Sequence, residues 1–289
     1  MNPFSYGAES SAEQCLENMD RIFIEFGKKA IKVHPSCRFS IFRKNFEEFY
    51  SKVIVGNEEP ESFNLPELLE GYRDYCELKL IYSSNKLMSE AINDVRKIMS
   101  GNSLNSMDKN RTARDIQFQL FFAAHLELAG YSLIIQEPDF LVEKNGMIYS
   151  VAAKRLSGKS SIYNNIVKAE QQILNHSYPG FIALSVERLM DEKDFLLYLD
   201  DPDQASEICY RLMYKLIASN FNSKHFVRND QVRALLFSFS MGCISPNLEP
   251  GYSSAFTYFS VKEPESKYGK EVESFFSHYC ITDEDFFPV

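Results

Sequence analysis

Apolar residues recur along the chain with two periods, and the change from one to the other divides it. Through roughly the first hundred residues the spacing is helical. Ser11 to Lys32 places Cys15, Met19, Ile22, Phe23 and Phe26 on one helix face, and His34-Pro35-Ser36 ends the run. Phe39 to Val55 repeats the pattern through Phe42, Phe46 and Tyr50 until Gly56-Asn57-Glu58-Glu59-Pro60 breaks it. Two more helices are expected over Leu65 to Ser83 and Lys86 to Met99, with the aromatic stripe as core. Gly101-Asn102-Ser103-Leu104-Asn105-Ser106 is the most linker-like stretch. The expected division is therefore an N-terminal helical region, 1–105, followed by an α/β core, 106–289.

Beyond that point helical and strand patterns alternate. DIQFQLFFAAHLELAG, from Asp115, is apolar around much of its circumference, as suits a helix lying on a sheet. Thr112-x-x-Asp115 reads as a capping box and Gly130 as the residue just past the helix. Asp115 and Gln119 lie one turn apart on its polar stripe, and His125 reads as structural. Gln136 to Arg155 reads as two strands joined by Asn145-Gly146, a dipeptide suited to positive φ at both central positions of a type I′ turn. The register then follows: Lys144 opposes Met147, Glu143 opposes Ile148, Leu141 opposes Ser150, Asp139 opposes Ala152 and Glu137 opposes Lys154. Glu137, Asp139, Ala152 and Lys154 would share one face.

A helix is expected over Ile162 to Asn175, with Ile162, Ile166, Ala169 and Ile173 buried, Asn165, Lys168 and Gln172 in a polar row, and Ser160 or Ser161 as its cap. Phe181 to Val186 is a continuous apolar run, the mark of a strand covered on both faces. An acidic loop follows (Asp191 to Asp203), then a helix from Gln204 to Ala218. Strands Val232 to Met241 and Ser254 to Val261, separated by Pro246 and Pro250-Gly251, are expected to pair antiparallel. A last helix, Ser266 to Tyr279, leads to an acidic aromatic tail, Ile281 to Phe287.

Composition narrows the class. Hydrophobic residues make up 45% and charged residues 25%, the balance of an ordinary globular chain. No run of 18 apolar residues exists and MNPFSYGAESSAEQ carries no basic segment followed by an apolar one, so neither secretion nor membrane spanning is expected. Six scattered cysteines without a Cys-x-x-Cys pair fit reduced thiols, and the expected location is the cytoplasm. A net charge of −9 argues against a protein that coats nucleic acid, and raises the expectation of a protein partner. Positive charge is concentrated locally, in Lys154, Arg155, Lys159 and Lys168. Gly158-Lys159-Ser160 is not a phosphate-binding loop, because the glycine needed five positions before Gly158 is Ala153.

Pro138-Asp139, the hairpin, and Ala152-x-Lys154, set in the order helix, strands, helix, strand, resemble the PD-(D/E)xK nuclease superfamily over Asp115 to Val186, a quarter of the chain. The resemblance implies a restriction-endonuclease-like α/β core with a central mixed sheet flanked by helices. It implies metal-dependent cleavage of nucleic-acid phosphodiesters, DNA before RNA, with Mg²⁺ or Mn²⁺ on Asp139 and Glu137 and water positioned by Lys154. It also implies a glutamine or lysine near the reacting phosphate, for which Lys168 and Gln172 qualify. Gln119 occupies the first-helix position where members often carry an acid. Arg155, Lys159 and Lys168 would hold backbone phosphates. A prokaryotic defence effector is one role such a domain would fit.

One departure stands against this. Ala152 occupies the position of the second acid, and a methyl group binds no metal. Three explanations remain open: Glu137 or Glu170 supplies the carboxylate; the fold is inactive and binds nucleic acid or protein; or Ala152 replaces an acid by engineering.

Overall fold

The computed structural model describes residues 12–56, 58–104, 107, 111–190, 204–244, 250–263 and 265–277. The acidic loop 191–203, Pro246, the end of the last expected helix and the tail 281–287 lie outside these residues.

Helices α1 (Ala12–Lys28), α2 (Arg38–Phe49) and α3 (Leu65–Ser83) fall where the helical spacing predicts them. A π-helical turn, Tyr50–Val55, completes the second. The expected fourth helix is two, α4 (Asn85–Glu90) and α5 (Ile92–Lys97), interrupted at Ala91. Helix α6 (Thr112–Leu128) begins three residues before Asp115. Its cap is Arg111, so Thr112 lies inside the first turn and the expected capping box is absent. Gly130, at φ +86°, ends it as predicted. Its N–H bonds the Glu127 carbonyl while that of Tyr131 bonds Leu126, the two-bond closure that a left-handed residue permits.

Six strands follow: β1 (Ser132–Ile134), β2 (Phe140–Lys144), β3 (Met147–Arg155), β4 (Gly180–Ser185), β5 (Val232–Ile244) and β6 (Pro250–Ser260). They lie side by side in chain order. Pairs β1–β2, β2–β3 and β5–β6 are antiparallel, and β3–β4 and β4–β5 are parallel. The sheet is thus mixed, as expected. Helix α7 (Ile162–Leu174) forms the crossover from β3 to β4; α8 (Ala205–Asn220) and the short α9 (Ser223–Phe226) lie between β4 and β5, and α10 (Lys267–Phe276) closes the described chain. Ser161 precedes α7 without a side-chain cap, because its hydroxyl donates to the Gly158 carbonyl.

Side-chain alternation sorts the sheet into two apolar layers. Val151, Ala153, Phe181, Ala183 and Leu236 join a core with α1–α6 and α10. Ala152, Ile182, Leu184, Leu235 and Phe237 join a second with α7 and α8. The first core is continuous from Cys15 to Phe276, so the N-terminal helices pack on the sheet, and the linker-like stretch at 101–106 breaks the chain without breaking the core. At Gly242 of β5 an added Cβ would stand 2.5 Å from the Leu69 carbonyl oxygen of α3, which shows how closely that helix lies on the strand.

Candidate functional site

The hairpin forms as its dipeptide dictates. Asn145 and Gly146 have φ of 54° and 76°, and the ladder pairs Lys144 with Met147, Glu143 with Ile148 and Leu141 with Ser150. Pairing stops at Phe140 opposite Val151, short of the expected partners of Asp139 and Glu137. The chain bends at 137–139, through a cis Glu137–Pro138 peptide, and β3 runs on past the end of β2, paired there with β4 only.

That overhang makes the site. With no β2 backbone opposite it, the Ala153 N–H is taken by the Asp139 carboxylate, Oδ2 at 2.7 Å. Lys154 Nζ lies 3.2 Å from the same oxygen and 3.1 Å from the Ala153 carbonyl. Gln119 of α6 donates to Asp139 Oδ1 at 3.0 Å. The aspartate and lysine that the sequence pairs therefore meet, and Gln119 meets them. Burial pushes the Asp139 carboxyl above its ordinary value, and the nearby Glu137 adds to the rise, while Lys154 and the Ala153 N–H oppose it. Glu137 itself is exposed.

The remaining candidates divide sharply. Ala152 is fully buried in the apolar layer beneath α7. Glu170 accepts from Arg228 at 3.1 Å and from the Asn229 N–H at 2.7 Å, so it ties a loop to α7. Gln172 buries its amide oxygen with no hydrogen-bond partner among the described residues. Lys159 and Lys168 are exposed. Arg155, expected to hold phosphate, is instead engaged within the protein. It is buried, donates to the Arg114 carbonyl and pairs with Glu187 at 3.5 Å, because neighbouring strand residues face opposite sides.

Two residues without an assigned role belong to the same neighbourhood. Asp115, in the first turn of α6, is half-buried; burial raises its pKa against the fields of Arg155, Arg111, Lys154 and Arg188. Arg188 follows the carboxyl end of β4, and burial together with Arg155 lowers it to about 10. Parallel strands of open sheets bind ligands beyond their carboxyl ends, and that rule could have drawn attention to both positions. Asp115, Asp139, Lys154 and Arg188 thus gather where the start of α6 meets the carboxyl ends of β3 and β4.

Asp139 Oδ2 and the Ala153 carbonyl both converge on the Lys154 ammonium, so the site accommodates a cation between two hard oxygens. Among the described residues no group of three or more His, Cys, Asp or Glu side chains is arranged to hold a metal. Magnesium-type ions are commonly held by one or two carboxylates together with waters and substrate phosphate, and this donor set fits that sparse arrangement. Also among the described residues, no helix is long and apolar enough to cross a membrane. Compared with family models, curated proteins and solved structures, the chain matches none.

Proposed function

We propose that the chain is a divergent PD-(D/E)xK-type nuclease whose cleft takes the phosphate backbone of nucleic acid, DNA before RNA, and cleaves it with Mg²⁺ or Mn²⁺. The observation that carries the reading is the convergence of Asp139, Lys154 and Gln119 where β3 overhangs β2. The order α6, β1–β3, α7, β4, with β3 and β4 parallel, supports it as well.

Asp139 and the Ala153 carbonyl would hold the metal, with Glu137 and Asp115 as the nearby carboxylates. When bound, such an ion supplies a Lewis acid for the phosphate and a water of lowered pKa. Lys154 orients the attacking group and neutralises charge that develops on the phosphate. Gln119 fixes the Asp139 carboxylate, and Arg188 and Lys159 attract the backbone. Because the site offers few anionic ligands, a metal would be held together with the substrate.

The second reading is an inactive nuclease fold that binds nucleic acid or protein. It is favoured by Ala152, whose methyl lies where no carboxylate can be hydrated. A cleavage assay on single- and double-stranded DNA and RNA with each metal separates the two. Cleavage by the chain as written, reduced at least about 100-fold by Lys154→Ala, supports the enzyme. Cleavage appearing only after Ala152→Glu, or binding without cleavage in both, supports the inactive fold.

A further inference from the structure

The outer face of α7 carries an aromatic and basic strip that the cleft does not use. Tyr163 is 48% exposed, and Val167, one turn on, is 39% exposed. Two cations flank the tyrosine ring, Lys224 Nζ at 6.0 Å and Arg228 Cζ at 5.8 Å from its centroid, and the His225 ring stands edge-on at 6.3 Å. Val227 is exposed beside them. Lys168 lies further along α7, and Lys159 precedes it in the loop that leaves β3 just past Lys154. The acid of this helix, Glu170, is already paired with Arg228. In a chain of net charge −9 this surface is locally positive, and its first lysine follows Lys154 closely in sequence.

The strip carries the two exposed valines, but its centre is an exposed ring with cations 5.8 and 6.0 Å from its centroid, with Lys159 in the turn before the helix and Lys168 on it. Base–aromatic stacking and phosphate–lysine attraction need that combination.

We propose that the strip Lys159–Tyr163–Lys168, with Lys224, is a binding track for single-stranded nucleic acid, a base stacking on Tyr163 and the backbone phosphates running over the lysines. It deepens the nuclease reading, on which it rests only for the direction of the strand, by naming the form of substrate that the cleft receives. A single strand passing the cleft continues over α7. A duplex keeps its bases stacked on one another and leaves the Tyr163 ring unused.

The test is fluorescence anisotropy with a labelled 20-mer of deoxythymidine at low salt and with EDTA, so that binding is read without cleavage. Tyr163→Ala weakens binding roughly 5- to 150-fold, while Tyr163→Phe stays within about twofold of the parent. Lys224→Ala weakens it and lowers the slope of log affinity against log salt by about 0.7. Half the ring surface is already in water, so neither change at position 163 threatens the fold. No binding by the parent chain overturns the proposal, as does a Tyr163→Ala affinity equal to the parent's. Competition by poly-glutamate as effective as that by the oligonucleotide also overturns it, because charge alone would then explain the surface. Binding that depends on Tyr163 in a chain that never cleaves leaves the track standing and removes the nuclease reading. Cleavage that depends on Lys154 but is indifferent to Tyr163 does the reverse.

Discussion

Two groups of charges in this molecule are each built around a buried aspartate, and the two aspartates are shifted in opposite directions. On the α2–α3 side, Asp74 takes Arg38 at 3.3 Å and Arg73 at 3.0 Å and accepts a further bond from Arg114; Glu77 accepts from Ser240 at 3.0 Å and from Gln117. Burial would raise the Asp74 carboxyl, yet Arg114, Arg38 and Arg73 hold it well below the usual range. At the end of β3, one lysine, the Ala153 N–H and the Gln119 amide face Asp139, and burial wins. Lys154 and Arg155 are consecutive in sequence, and one serves each group. The α2–α3 charges tie the N-terminal helices together and to the sheet, whereas Asp139 and Lys154 meet at the overhanging end of β3.

The sharpest break of this comparison is a pair of substitutions read by chemical denaturation. Asp74→Ala removes the carboxylate shared by three buried guanidinium groups and lowers stability by about 3–5 kcal/mol. Asp139→Asn removes a carboxylate that burial already disfavours, and stability stays within about 1 kcal/mol of the parent. Equal losses would erase the distinction.

Acid titration sharpens it next. His125, buried on α6, is lowered to about 4 by burial. The folded chain resists its protonation while the unfolded chain does not, so stability falls as pH drops from 6.5 towards 4, by about 3 kcal/mol in all. His125→Leu abolishes that loss. The Asp74 group has a depressed carboxyl, so its contribution persists through this window and disappears only below the ordinary carboxylate range.

Gln119→Ala, which frees Asp139 Oδ1, lowers Mn²⁺ affinity in the presence of substrate by about 10- to 100-fold. The smallest effect lies away from both groups. Ala30 holds a left-handed φ of 56° at the end of α1, and Ala30→Gly raises stability by about 1 kcal/mol.

The elements that periodicity and turn chemistry determine locally were legible in the sequence: the helix from Leu65 to Ser83, the Asn145-Gly146 turn with its register, and the doubly buried β4. The turn brings Asp139 and Lys154 to the same end of the hairpin, but their contact is made outside the ladder, which ends at Phe140 opposite Val151. What was not legible depends on contacts between distant segments. The bend at 137–139 moves Asp139 out of the ladder, so its side chain, not its backbone, meets Ala153. Arg155 reads as a phosphate holder and Glu170 as a candidate second carboxylate until Glu187 and Arg228, distant in sequence, are placed beside them. Asp115 and Arg188 gain meaning only from where α6 and β4 end.

The central claim is that the Lys154 ammonium occupies a cation position bounded by Asp139 and the Ala153 carbonyl. Calorimetric titration of Mn²⁺ into the parent, Lys154→Ala and Asp139→Asn, each with and without a non-cleavable oligonucleotide, tests it most directly. The account predicts weak binding by the parent alone and tighter binding once nucleic acid is present. It predicts binding about tenfold or more tighter on Lys154→Ala, where the competing charge is gone, and none on Asp139→Asn. Identical Mn²⁺ isotherms for all three proteins would contradict it.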